Sequence, residues 1–290
     1  GASFTGDRTE PLMVKSGDGK TTTPLYFRGK RIMDAIISSL ATDYGLNTAS
    51  KVLLTGCSSG GLASLLHSDY VHAALTTLSP KLQQFRTVPV SGFFLLHDNV
   101  DNLAVYPDQM KNVFEMQNST GGVPQACLAA MTDEDKWKCI FAQNAFAHTS
   151  VPTFIENSAL DAFQTWCIYC ASPIAGFPDP TSAINGNCSS VQGYHNCSQN
   201  PEECTVPQIG EMNKYLEDFV AVLHTTNNFH AVGNGGFIHS CHQHCEGLAA
   251  GWKTFKINNV SMQDAVAAWW DSDGTDPAAK HTYTPCLYKT

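Results

Sequence analysis

The chain has 290 residues, 43% of them hydrophobic and 15% charged, the make-up of a packed globular protein and not of a disordered or coiled-coil one. Its net charge of -9 excludes a general affinity for nucleic acid or anionic membrane, because those partners reward clustered Lys and Arg and no dense basic run occurs. Eleven cysteines, together with Asn-x-Ser/Thr sequons at Asn118, Asn187, Asn196 and Asn259, point to an oxidising, extracellular route. The odd cysteine count leaves at least one thiol unpaired, and Cys57 is the expected one, buried in a tight turn. No signal peptide and no apolar run long enough to span a membrane are present. The chain starts at Gly1 without an initiator Met, so an N-terminal piece is expected to have been removed or left out.

Taken in chain order, the first clear element is a helix over Arg31 to Leu40, where Ile32, Met33, Ile36, Ile37 and Leu40 recur at helical spacing. Lys51 to Thr55 reads as a short buried strand. Gly60 and Gly61 then open a second helical pattern with Leu62, Leu65, Leu66 and Tyr70. Val88 to Leu96 and Val151 to Glu156 repeat the strand signal, the latter with Pro152 near its start, where proline is tolerated. A region over 171–204, rich in Gly, Pro, Asn, Ser and Cys, reads as an irregular insertion pinned by disulfides and not as a linker. Near Pro207 an amphipathic helix begins, with Ile209, Met212, Leu216, Phe219 and Leu223 on one face. Gly235 to His239 is the next strand. Ser261 is placed to cap a last helix through Ala265, Val266, Trp269 and Trp270, with Asp264 near its N-terminus. Strands alternating with helices predict an α/β class with a doubly wound, mostly parallel sheet in one domain over 1–290.

Chemistry enters with Gly56-Cys57-Ser58-Ser59-Gly60. A Gly-x-Ser-x-Gly pattern occurs by chance in roughly one chain in ten of this length, but here a strand precedes it and a helix follows. A nucleophile elbow needs that context: a strained turn that lifts the Ser hydroxyl out of the sheet, with small residues on either side. The backbone N–H of Ser59 then falls at a helix N-terminus, where it can donate to a developing oxyanion. A serine hydroxyl also needs a base, itself oriented by a carboxylate, and in this fold the order is Ser, acid, His. Glu156 and Asp161 are the acid candidates, and Asp161, past the strand end, is better placed. His239, His242 and His244 all stand where the base is expected, and pattern reasoning does not choose among them. The same Cys/His cluster, with Cys167-Ile168-Tyr169-Cys170, admits a metal-site reading, which is weakened by oxidising conditions that would pair these sulfurs.

These motifs together resemble the pectin acetylesterase family, which is related to the Notum carboxylesterase. The likeness is carried by Phe27-Arg28-Gly29-x-Arg31-Ile32, Leu54 to Leu62 around Ser58, Ser91 to Leu95, Leu160-Asp161-x-x-Gln164 and Ser240-Cys241-x-x-His244-Cys245. The resemblance implies an α/β-hydrolase fold with Ser58, Asp161 and His244 as catalytic residues. It also implies disulfides pairing Cys127 with Cys139 and Cys197 with Cys204. No cofactor or metal is expected, and the chain is expected to be a monomer. The implied substrate is O-acetyl esters of pectin or a related cell-wall polysaccharide, outside the cell. Alternatives are a Notum-like esterase for a longer acyl chain and a non-catalytic glycan-binding relative. Two departures stand out. Val90 occupies a position where the family has Asp, so a supporting interaction near the sheet is expected to be missing. The family's Gly-Gly-Trp loop, which contributes further oxyanion donors, would lie upstream of Gly1 and is expected to be missing with the first strands of the sheet.

Overall fold

The computed structural model describes residues 4–173, 188–248, 250–272 and the backbone of 281–283. A small antiparallel hairpin, β1 (Leu12–Lys15) with β2 (Thr22–Leu25), comes first. The main sheet is then built from β3 (Lys51–Cys57), β4 (Gln84–Val90), β5 (Phe154–Ser158) and β6 (Gly235–His239). A short hairpin, β7 (Lys256–Ile257) with β8 (Val260–Ser261), precedes β9 (His281–Tyr283). Among the described residues the sheet order is β3-β4-β5-β6-β9, with every pairing parallel. Parallel neighbours need crossover connections, and helices supply them on both faces.

Each face of the sheet is covered by a different set of side chains. Val88, Val90, Phe154 and Phe237 pack under the helix Met262–Asp271, whose Trp269 is fully buried. Ser261 caps that helix by accepting from Asp264 N at 3.1 Å. Ile155 and Ile238 join the larger core with Leu62, Leu65, Phe93, Phe146 and Phe219. The helix Val206–Thr225 closes this side, burying Ile209, Met212, Leu216, Phe219 and Leu223 along one stripe. Its first turn is fixed by Thr205 N donating to Gln208 Oε1 at 2.8 Å. Helix α1 (Gly29–Asp43) is different. Of the apolar positions read as one face, Ile37 is buried whereas Ile32 and Ile36 are 44% and 52% exposed.

Two expected strands are displaced. The run Val88 to Leu96 leaves the sheet after Val90, where Ser91 takes φ 46°, a left-handed conformation that ends pairing. The apolar residues beyond are buried nonetheless. Side chains satisfy their backbone donors: Phe93 N donates to Asn157 Oδ1 at 3.0 Å, Leu95 N to Gln164 Oε1 at 3.1 Å and Leu96 N to Gln143 Oε1 at 2.9 Å. Likewise β5 starts at Phe154 and not at Val151, because Pro152 brings no N–H and Thr153 N donates to the Asn234 side chain.

In the insertion, residues 174–187 lie outside the described residues. Its described part is not wholly irregular: it contains a short helix, His195–Gln199. Disulfides Cys167–Cys188 and Cys197–Cys204 tie it down, and Cys127–Cys139 closes a separate loop.

Candidate active site

Ser58 sits between β3 and helix α2 (Ser59–Leu66) with φ 60° and ψ -126°, a conformation that costs on the order of 1–3 kcal/mol for a residue with a Cβ. Two bonds hold it there. Ser58 N donates to Val90 O at 3.0 Å, and Leu62 N donates to Ser58 O at 2.9 Å. The turn closes only because two neighbours lack side chains. A Cβ on Gly56 would lie 2.5 Å from Gly60 O, and one on Gly61 would lie 2.5 Å from Val90 O. Ser59 is exposed and opens α2, so its N–H is among those the helix does not use itself.

Asp161 follows β5 and is completely buried. Its Oδ1 accepts from Phe163 N and Gln164 N, both at 3.0 Å, and so caps the turn Ala162–Gln164. The other oxygen, Oδ2, accepts from His244 Nδ1 at 2.8 Å. A proton on Nδ1 leaves Nε2 as the free acceptor of that ring, the tautomer a general base requires. Phe94 and Phe163 flank the imidazole with ring centroids 6.4 and 5.7 Å away. Gln164, the last residue of the acid motif, accepts from both Leu95 N and Tyr215 OH through Oε1. It thus locks the acid turn to the core.

The three histidines left open by the sequence have separate partners. His242 Nε2 meets Thr165 Oγ1 at 3.0 Å. His239 Nε2 lies 3.6 Å from Glu156 Oε1. Of the three, only His244 bonds to Asp161. Elsewhere His67 bonds Phe4 O at 2.8 Å and His72 stacks on Phe85, both structural positions.

Cys57 is not a free thiol. It forms a disulfide with Cys245, 188 residues further on, with a Cα–Cα distance of 5.7 Å. The bond joins the residue before Ser58 to the residue after His244 and holds the two loops together. Among the described residues the free cysteines are Cys170, buried and with its thiol pKa pushed up to about 12 by burial, and Cys241, exposed. A cluster of Cys57, His244 and Cys245 atoms within 4.8 Å of one another is the one grouping of metal-ligand type among the described residues. Both its sulfurs are spent in the disulfide, so this grouping offers no thiolate ligand, and Cys167 of the Cys-x-x-Cys pair is bonded to Cys188.

The sequence offered no route to the Cys57–Cys245 pairing beyond one observation: each motif carries a cysteine directly beside its key residue. Glu156, the other acid candidate of the sequence, faces His239 and not His244. Glu156 lies level with Val90 in the sheet, so an acidic group stands one strand away from Val90.

An elbow serine, a following acid and a final histidine on a parallel sheet define the α/β-hydrolase class. The fold agrees with this. Two structures of the Wnt deacylase Notum from Drosophila superpose with TM-scores of 0.67 and 0.68 at 19% identity, over 96% and 99% of this chain and 69% and 68% of theirs. The chain belongs to the pectinacetylesterase family, whose model matches residues 1–287. Pectin acetylesterase 11 of Arabidopsis thaliana is 28% identical over 274 residues and pectin acetylesterase 5 is 30% identical over 278. Each match covers 93% of this chain but 62% and 57% of those proteins. The palmitoleoyl-protein carboxylesterase Notum of Schmidtea mediterranea is 25% identical over 150 residues, 49% of this chain and 28% of that protein.

Proposed function

We propose that this chain is a serine carboxylic ester hydrolase that releases O-acetyl groups from pectin or a related cell-wall polysaccharide. One observation carries the reading. Asp161 holds His244 at 2.8 Å, and a disulfide clamps the residue after His244 to the residue before Ser58. In the reaction, Ser58 Oγ attacks the ester carbonyl carbon while His244 Nε2 takes its proton. Ser59 N–H stabilises the oxyanion. Collapse expels the sugar oxygen, which receives the proton from His244, and leaves an acyl-serine. Water, deprotonated by the same nitrogen, then releases acetate and regenerates Ser58.

Family membership supports the ester-hydrolase class, and acetylated pectin follows from the names of the plant relatives. Four disulfides among the described residues fit an extracellular protein, and no described helix is long and apolar enough to cross a membrane. Comparing p-nitrophenyl acetate with p-nitrophenyl octanoate tests the acyl preference. We expect acetate to be favoured, and a marked preference for octanoate would move the protein to the long-chain alternative. Ser58→Ala should remove turnover, and unchanged turnover would take Ser58 out of the mechanism.

A further inference from the structure

A second acid–imidazole contact lies beside the loop that carries His244, and the reaction above does not use it. Glu156 is fully buried on β5, level with Val90 of β4 on one side and Phe237 of β6 on the other. Both neighbours belong to the apolar layer under Trp269. Neither Glu156 carboxylate oxygen has a hydrogen-bond partner among the described residues. Its counterpart is the His239 ring, itself 4% exposed, with Nε2 at 3.6 Å, an ion-pair distance and not a well-made hydrogen bond. The ring packs edge-on against Phe255. An isolated buried pair of this kind adds little to stability compared with apolar residues of the same shape, so packing alone gives no account of it.

What the pair touches is the histidine loop at both ends. His239 is the last residue of β6, and its Nδ1 lies 3.3 Å from Cys241 N, at the start of the loop. Ser158 Oγ donates to Cys241 O at 2.5 Å, fixing the same peptide. At the far end Gly247 lies directly against Glu156, where a Cβ would be 2.5 Å from Oε2. Cys245 N donates to Ser91 Oγ at 3.0 Å between these points. The loop therefore starts on His239, ends on Glu156, and carries His244 in between. We propose that Glu156 and His239 are positioning residues for His244: the buried pair sets the seat of the loop and so directs the imidazole towards Ser58. This rests on the ester-hydrolase reading and adds two residues to it.

The charges around the pair agree with one retained proton. Burial raises the Glu156 carboxyl above its ordinary value, with Asp161 and Glu246 pushing the same way against His239. Burial lowers His239, but the Cys241 side chain and Glu156 outweigh it and hold the ring at about 9. Losing this proton would leave a bare carboxylate under Gly247 beside two further acids.

The experiment uses the whole chain with Glu156→Gln, which keeps the shape and removes the charge, and His239→Gln. Misplacement of a base by about 1 Å costs on the order of 100-fold in rate. We expect kcat for p-nitrophenyl acetate to fall by about 10- to 100-fold with KM little changed, and the alkaline limb of the pH profile to move. A folded Glu156→Gln protein with wild-type kcat and an unmoved pH profile would overturn the proposal. A second readout needs neither variant nor turnover: the low-field proton NMR signal of His244 Nδ1–H bonded to Asp161. In the wild-type protein it should shift as His239 titrates, and a signal that stays fixed through that titration also overturns the proposal. If the wild-type protein hydrolyses no ester, the ester-hydrolase reading fails, while the NMR signal still decides the positioning role.

Discussion

Asp161 serves two backbone donors with one oxygen and an imidazole with the other, so its two functions can be separated by substitution. In Asp161→Asn the remaining carbonyl oxygen can still accept from Phe163 N and Gln164 N, and Asn is as good a cap as Asp. The amide group, however, would present a donor to His244 Nδ1 and force the ring into the wrong tautomer. Asp161→Asn should therefore melt near the wild-type temperature while kcat for p-nitrophenyl acetate drops by about 10³- to 10⁴-fold. Asp161→Ala should lose a similar factor and also about 1 kcal/mol of stability from the missing cap. A near-normal rate in Asp161→Asn would remove this residue from the reaction. At the same scale, Ser58 was legible because strand, glycines and helix surround it in sequence. His244 was not separable from His239 and His242 by pattern, because ring partners come from β5 and the turn after it, about 80 residues upstream.

At the scale of elements, the disulfide Cys57–Cys245 links the elbow after β3 to the loop after β6, two strands that are not neighbours in the sheet. Closing so long a loop stabilises the native state by about 2–5 kcal/mol in the usual range. Its position gives it a second effect, since it sets the separation of the loops that carry Ser58 and His244. Cys245→Ala, or mild reduction, should lower kcat well before the far-ultraviolet circular dichroism changes. If activity and secondary structure decline together, the bond is only a general staple. The exit of β4 shows a different limit of sequence reading. Val88 to Leu96 has the composition of one strand, yet Ser91 turns the chain out of the sheet. The donors of the departing segment are met by Asn157, Gln164 and Gln143. Local composition carries no sign of such distant acceptors.

For the molecule as a whole, the pH dependence of stability follows from the buried pair. The folded-state pKa of His239, about 9, is above the value near 6.5 of an unfolded histidine. Its contribution is fully present below about pH 6.5 and is lost as the pH rises towards 9. Melting temperature should thus fall from pH 6.5 to 9, and a flat profile in calorimetry would contradict this assignment. Net charge makes a separate prediction. At -9 the protein repels an anionic polymer at long range, and salt screens that repulsion over a Debye length of about 8–10 Å at physiological ionic strength. Hydrolysis of acetylated homogalacturonan should therefore quicken with added salt while that of p-nitrophenyl acetate stays level. A fall with salt would require a local basic groove.

The existence of the four central strands, the amphipathic face of Val206–Thr225, the cap at Ser261 and the strand–turn–helix around Ser58 were all determined by sequence alone, since each depends on residues within about two turns of one another. Tertiary structure decided which acid meets which imidazole: Asp161 with His244, and Glu156 with His239. It also decided that Cys57 is bonded and not free, and that most of the apolar positions of α1 stay exposed. Those outcomes depend on register between β5 and β6 and on loops that meet only after the sheet has closed, where no local periodicity reaches.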